Sequence, residues 1–272
     1  MSEPIQVTDP VGGYILGFGE NFDNSANARP LDFSKIELDK NRLKYFQRYL
    51  DDYYNVEFIY EQGTEQIIEM AARYAPGGHW LDIGSGTSAL FWATAFRNIL
   101  SVNCVDLVPE ALSIFDRFRN SDALPKCYLE ALKIAGNSIE VLKQTRTAPW
   151  HFHQCNILKP WASYLGSMTF NMITAYAVFG LSKDIQAYEA CFKYLAEAAS
   201  SKQTLLGADW IRSGNYVALE GHDNRYVSAK ACYRAAKRAG FNVIECEYYE
   251  IKGDPLYSGV VSWVLRPGTS SP

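Results

Sequence analysis

The residues best suited to chemistry stand in one short run, Leu81 to Ala89, with the sequence LDIGSGTSA. The run follows a short apolar stretch and leads into a helix-like one. Gly84 and Gly86 permit a tight turn and a close backbone approach to a ligand, and the helix start behind them offers unpaired N–H groups. Ser85 and Thr87 lie within the same turn. Asp106 ends the next apolar stretch, about 20 residues further on, where an acidic side chain can accept both hydroxyls of a ribose. The spacing G-x-G-x-x-A suits a dinucleotide as well as an adenosyl ligand, so it leaves a nicotinamide-dependent oxidoreductase open. Asp82 stands two residues ahead of Gly84 and makes the pattern D-x-G-x-G. A carboxylate there is badly placed beside a pyrophosphate and well placed to hold an ammonium group. S-adenosylmethionine carries such an ammonium and no phosphate.

The elements that must position this turn follow from the apolar periodicity. HWLDIG, SALFWATAF, LSVNCVD and PEALSIFDRF alternate strand-like and helix-like patterns and predict one βαβα unit of a parallel sheet. Further strands are expected at WHFHQCN, FNMITAYAVF and QTLLGADW, with a helix at IQAYEACFKYLAEAA. A helix at VSAKACYRAAKRAG, closed by Gly240, and two last strands at FNVIECEYYEI and GVVSWVLRP complete the pattern. Ahead of the turn, Leu43, Phe46, Tyr49, Leu50 and Tyr53 have helical spacing, and a second helix is expected from Thr64 as a capping-box-like start. The 272 residues divide into an N-terminal arm and lid helices over residues 1–75 and an α/β domain over 76–272, with a helical insertion near 122–148.

Composition excludes several classes. The net charge is −4 and no Lys/Arg-rich run occurs, so no grip on a nucleic-acid backbone is encoded. No apolar run approaches membrane-spanning length, and the polar start MSEPIQVTDP lacks the features of a signal peptide, so a cytoplasmic location is expected. Six scattered cysteines read as core hydrophobes. His151 and His153 share a strand face, but no third ligand of matching spacing follows them, and no metal is expected.

Four passages carry a family resemblance: YLDDYY (Tyr49 to Tyr54), LDIGSGTSA, VDLVPEAL and GADWIRSGNY. Through them the chain resembles the class I S-adenosylmethionine-dependent methyltransferases. The narrower likeness is to the nicotinamide, phenylethanolamine and indolethylamine N-methyltransferases, over roughly residues 40 to 266. The resemblance implies an α/β, Rossmann-like fold with a seven-stranded, mostly parallel sheet, helices on both faces and an N-terminal helical lid. It implies that Tyr49 and Tyr54 close over the cofactor's amino-acid end, that Asp106 binds the ribose and that Leu107 flanks the adenine. Asp82, Gly84, Ser85, Gly86, Thr87, Ile157 and Ala175 join them in the cofactor site. The family's adenine-contacting Asp is replaced by Asn156, whose carbonyl can still accept that hydrogen bond. Glu110 or Ala111 stands where the family often has Asn. For the acceptor the resemblance gives Asp209, Ser213 and Tyr216, with Tyr45 and Tyr176 beside them.

Methyl transfer from a sulfonium is an in-line displacement, which asks the protein to align donor and acceptor and to exclude water. An aliphatic amine, with a pKa of about 10, must first lose a proton, and Asp209 and Tyr216 are the catalytic candidates. Tyr45, Phe46, Tyr176 and Trp210 are candidate aromatic walls, while a polar loop with His222, Asp223 and Arg225 is expected to face solvent. The expected activity is N-methylation of a small amine in a monomeric protein. S- or O-methylation of a small molecule, the oxidoreductase and a non-catalytic cofactor-binding protein remain as alternatives.

Overall fold

The computed structural model describes residues 29–161, 165 and 168–268; most of the expected N-terminal arm lies outside them. The described chain runs β1 (Arg29–Pro30), α1 (Lys40–Tyr54), α2 (Thr64–Tyr74), β2 (Gly78–Ile83), α3 (Ala89–Trp92), β3 (Ile99–Asp106), α4 (Pro109–Arg119), α5 (Lys126–Ile134) and α6 (Ile139–Thr147). It continues as β4 (Trp150–Gln154), β5 (Met172–Tyr176), α7 (Ile185–Ala198), β6 (Thr204–Arg212), α8 (Gly214–Glu220), α9 (Ala229–Arg238), β7 (Phe241–Glu250) and β8 (Tyr257–Pro267).

The strands form one sheet in the order β1-β4-β3-β2-β5-β6-β8-β7. From β4 to β6 every pairing is parallel, whereas β8 is antiparallel to both of its neighbours. The parallel strands are buried on both faces, so they read as nearly continuous apolar runs rather than alternating ones. One face packs Trp80, Val102, Met172 and Leu206 with the helices of the N-terminal half. The other packs Leu81, Ile83, Ile173 and Leu205 with side chains of α7 and α9.

Two expectations need correction. Eight strands are present among the described residues, where seven were expected. The additional β1 is a two-residue segment that pairs antiparallel with Gln154 and His153 of β4. Two residues carry no periodicity, and a proline is tolerated because the segment lies at the sheet edge. Thr64 is also not the cap of α2: Gly63 is, with φ 76 and no side-chain cap. A Cβ on Gly63 would lie 2.2 Å from Val260 Cγ1, so the chain passes β8 where only glycine fits.

Helix α1 is fixed to the α/β body by one buried carboxylate. Glu110, in the first turn of α4, accepts the Asp39 N–H at 2.9 Å and the Arg42 guanidinium at 3.0 Å through a single oxygen. Asp39 in turn caps α1 by accepting from the amides of Asn41 and Arg42. Glu110 is fully buried while Arg42 remains partly exposed. Glu110→Ala would strand the Arg42 charge and an α1 amide, and is expected to cost about 2–4 kcal/mol, read as a lowered denaturation midpoint in urea. An unchanged midpoint would show that α1 docks through its apolar face alone.

Candidate active site

In a doubly wound sheet the ligand crevice opens at the C-terminal ends of the strands, where the strand order reverses. Here that point lies between β2, with β3 on one side and β5 on the other, and it gathers Asp82, Asp106 and the β5 end. The turn after β2 is built by backbone and side chain together. Gly84 N and Ser85 N both donate to Val105 O, at 2.7 and 3.0 Å. The Ser85 hydroxyl donates to Asp82 O at 2.7 Å and accepts from Val105 N at 3.1 Å, so this side chain is structural. Gly84 has φ 70, and a Cβ there would meet Val178 Cγ2 at 2.4 Å. A Cβ on Gly86 would meet nothing within 4 Å.

Asp106 braces this turn from β3. One carboxylate oxygen accepts the Gly86 N–H and the other the Val108 N–H, both at 2.8 Å. Burial raises its pKa, against the lowering pull of those amides. Asp82 is held differently. The Trp80 indole donates to the Thr174 hydroxyl at 2.7 Å, and that hydroxyl donates to Asp82 Oδ1. Asp82 Oδ2 and the Thr87 hydroxyl are buried with no hydrogen-bond partner. Burial pushes the Asp82 carboxyl up to about 7. An ammonium group placed here would supply the missing partner and restore the charge.

A cavity of about 550 Å³ adjoins the ends of β5 and β6 under α1. Tyr45, Tyr49 and Tyr54 of α1 line it, with Trp92 of α3, Trp210 of β6 and Tyr257 of β8. Tyr49 packs on Tyr53 with ring centroids 4.8 Å apart, and Tyr54 on Phe91 at 5.3 Å. Burial raises the phenols of Tyr49 and Tyr54 well above their usual range, so both stay protonated. Ala177 also lines the cavity and holds φ 58, a left-handed conformation unusual for alanine and of the kind stored at functional sites.

The one buried carboxylate in the cavity wall is Asp209, only 1% exposed. Its Oδ1 accepts the Gly180 N–H at 2.7 Å, while its Oδ2 has no partner. Burial pushes this carboxyl up to about 7, against the pull of the Gly180 and Phe179 amides.

The structure thus brings Tyr45, Tyr49, Tyr54 and Asp209 to one cavity, and Asp82, Gly84, Ser85, Gly86, Thr87 and Asp106 to the adjacent turn. It does not bring Ser213 and Tyr216 to the cavity wall. Ser213 caps α8, accepting the Tyr216 N–H at 3.1 Å and donating to Pro255 O at 2.6 Å. Tyr216 is buried against Tyr257 with its ring under the Arg212 guanidinium. Tyr176 lies behind Trp92, the two rings stacked at 4.3 Å, and Phe46 is core. The Asn156 carbonyl accepts from its own chain at Leu158 N, 3.1 Å away, which leaves it one lone pair. Leu107 and Asn156 are half-buried, whereas Ile157 and Ala175 belong to the core.

The polar loop expected in solvent divides. Asp223 and Arg225 form an exposed ion pair, but His222 is buried, with Nε2 2.9 Å from Ser182 O, and Asn224 is buried in the cavity wall. Trp92, Arg212 and Asn224 are lining residues that sequence reasoning missed. Trp92 sat in an unbroken apolar helix pattern, and Asn224 in a run with no periodicity at all. Among the described residues no group of three His, Cys, Asp or Glu side chains could hold a metal ion, and no helix is long and apolar enough to cross a membrane.

No family model matches the chain, and no curated protein matches it. Solved structures do. The N-methyltransferase NodS from Bradyrhizobium japonicum WM9, in complex with S-adenosyl-L-homocysteine, is similar over 84% of this chain and 99% of its own, at 12% identity and a TM-score of 0.50. A chain of the Haloferax volcanii complex between the Trm112 methyltransferase activator and a methyltransferase is similar over 85% of this chain and 100% of its own, at 10% identity and a TM-score of 0.51. The chain has a methyltransferase-like α/β fold with a mostly parallel mixed sheet.

Proposed function

We propose that the protein is an S-adenosylmethionine-dependent N-methyltransferase acting on a small amine. The observation that carries this reading is Asp209, a buried carboxylate with a pKa near 7 and an unpartnered oxygen in the wall of an otherwise aromatic cavity. A group of that kind suits a cationic amine that must give up a proton before it reacts.

The residues present fit the cofactor. The orphaned Asp82 oxygen suits its ammonium, Asp106 its ribose hydroxyls, and the space over Gly86 admits a ligand against the backbone. When bound, S-adenosylmethionine supplies an electrophilic methyl group on a sulfonium. The chain does the rest. Asp209 pairs with the incoming ammonium and takes its proton, directly or through water, which frees the lone pair. Tyr45, Tyr49, Trp92 and Trp210 keep water from the reacting centres and present π-faces to positive charge. Helix α1 acts as the lid of the site, held by Glu110.

The test is isothermal titration with S-adenosyl-L-homocysteine, followed by incubation with methyl-labelled S-adenosylmethionine and a panel of primary and secondary amines. Micromolar binding and a labelled amine product support the reading. Binding without transfer to any amine, or transfer only to thiols or hydroxyls, removes the amine from it.

A further inference from the structure

Strand β5 stops at Tyr176, opposite Ala208, so the last residues of β6 have no parallel strand beside them. Their backbone groups on that side need other partners. Asn224 supplies them. Its Nδ2 donates to Trp210 O at 2.8 Å and its Oδ1 accepts from Arg212 N at 2.8 Å, one carboxamide standing in for a strand. A primary amide has two N–H bonds, and only one of these is committed among the described residues.

Asn224 and Asp209 also meet at one place. Gly180 lines the cavity, and a Cβ built on it would lie 3.1 Å from Asn224 Nδ2 and 3.3 Å from Asp209 Oδ1. An atom of a ligand placed there is within hydrogen-bonding distance of a donor and a carboxylate at once. Neither group competes for the other, because Asp209 is satisfied at Oδ1 by Gly180 N and Asn224 by β6.

The geometry points to a two-point acceptor subsite over Gly180, in which Asp209 takes the amine and the second N–H of Asn224 donates to an oxygen on the same molecule. The substrate class is therefore a small amine bearing a hydroxyl, ether or carbonyl oxygen a few bonds from its nitrogen. This rests on the reading of the cavity as an amine-acceptor site. It gives the second polar contact to Asn224, in a loop outside the four resembling passages, in place of Ser213, which is consumed as a helix cap. The absent side chain of Gly180 becomes part of the recognition, since even a methyl group there occupies the subsite.

The experiment titrates protein saturated with S-adenosyl-L-homocysteine against matched pairs of amines that differ by one oxygen-bearing group, such as 3-(aminomethyl)benzamide and 3-methylbenzylamine. The wild type is expected to bind the oxygen-bearing members about tenfold more tightly, and Asn224→Ala to lose that preference with unchanged affinity for S-adenosyl-L-homocysteine. Gly180→Ala should weaken both members about tenfold, again without loss of S-adenosyl-L-homocysteine, and decides the matter if Asn224→Ala does not fold. Amines that bind with no preference within pairs, a preference that survives Asn224→Ala, or full affinity in Gly180→Ala would overturn the subsite alone. Binding of no amine at all would sink the amine reading and the subsite with it.

Discussion

Asp209→Asn is expected to lower kcat/KM for an amine acceptor by about 10²- to 10⁴-fold while leaving affinity for S-adenosyl-L-homocysteine unchanged. The substitution keeps an oxygen to accept the Gly180 N–H and removes only the charge and the proton acceptor. In the wild type, kcat/KM should rise with pH through about 7, as the buried carboxyl ionises. The variant should lack that limb.

The same carboxylate weakens the fold, and the sign separates a functional charge from a structural one. In the unfolded chain Asp209 titrates near 3.8, and in the native state near 7. The native state therefore holds a proton that the unfolded chain has released, and stability falls as pH rises from about 4 to about 7. Above that window the penalty is complete. Asp209→Asn escapes it and is expected to be more stable than the wild type at pH 8, by on the order of a few kcal/mol, with the difference gone at pH 4. Urea unfolding at both pH values measures this. A variant less stable at pH 8 would mean that the ionised carboxylate is paired and structural, and the amine reading would lose its base.

Much of this architecture was legible because parallel strands buried on both faces leave continuous apolar runs, and because a D-x-G-x-G turn between strand and helix needs particular residues. Asp82, Gly84 and Asp106 declare themselves by type and spacing, and the structure puts them around one turn. The acceptor side was legible only in part. Asp209 was found through resemblance, but Ser213 and Tyr216, drawn from the same passage, turn away into a cap and a packed ring. A serine ahead of a short helix satisfies an orphan amide there, and sequence cannot say whether a pocket or a cap claims it. Asn224 was invisible for the opposite reason. Its role depends on β5 ending before β6, a fact about the lengths of two strands far apart in sequence, and a polar residue in an aperiodic loop looks solvated until that gap is known.

Asp106→Ala is expected to weaken S-adenosyl-L-homocysteine binding by 100-fold or more, on the order of 3 kcal/mol. Two losses combine. The carboxylate has about four acceptor positions, of which Gly86 N and Val108 N use two, leaving two for a pair of ribose hydroxyls. Alanine removes the hydroxyl contacts and also frees the amide of Gly86, so that the turn is no longer organised before the ligand arrives. Asp106→Asn divides these contributions: one carbonyl oxygen remains for the turn or the ligand, and the loss should fall to about tenfold. Asp82→Asn provides the contrast. Its effect should grow with pH, because burial holds the wild-type carboxyl near 7 and only its ionised form pairs with an ammonium. Isothermal titration at pH 6 and pH 8 reads all three variants. If Asp106→Ala binds as the wild type does, the adenosyl group is not at this turn. If the wild type instead binds a nicotinamide dinucleotide, the glycine spacing has the meaning that Asp82 argues against. A loss in Asp106→Ala together with a pH-dependent loss in Asp82→Asn would place the ribose and the ammonium on opposite sides of one glycine turn, as no phosphate-bearing cofactor requires.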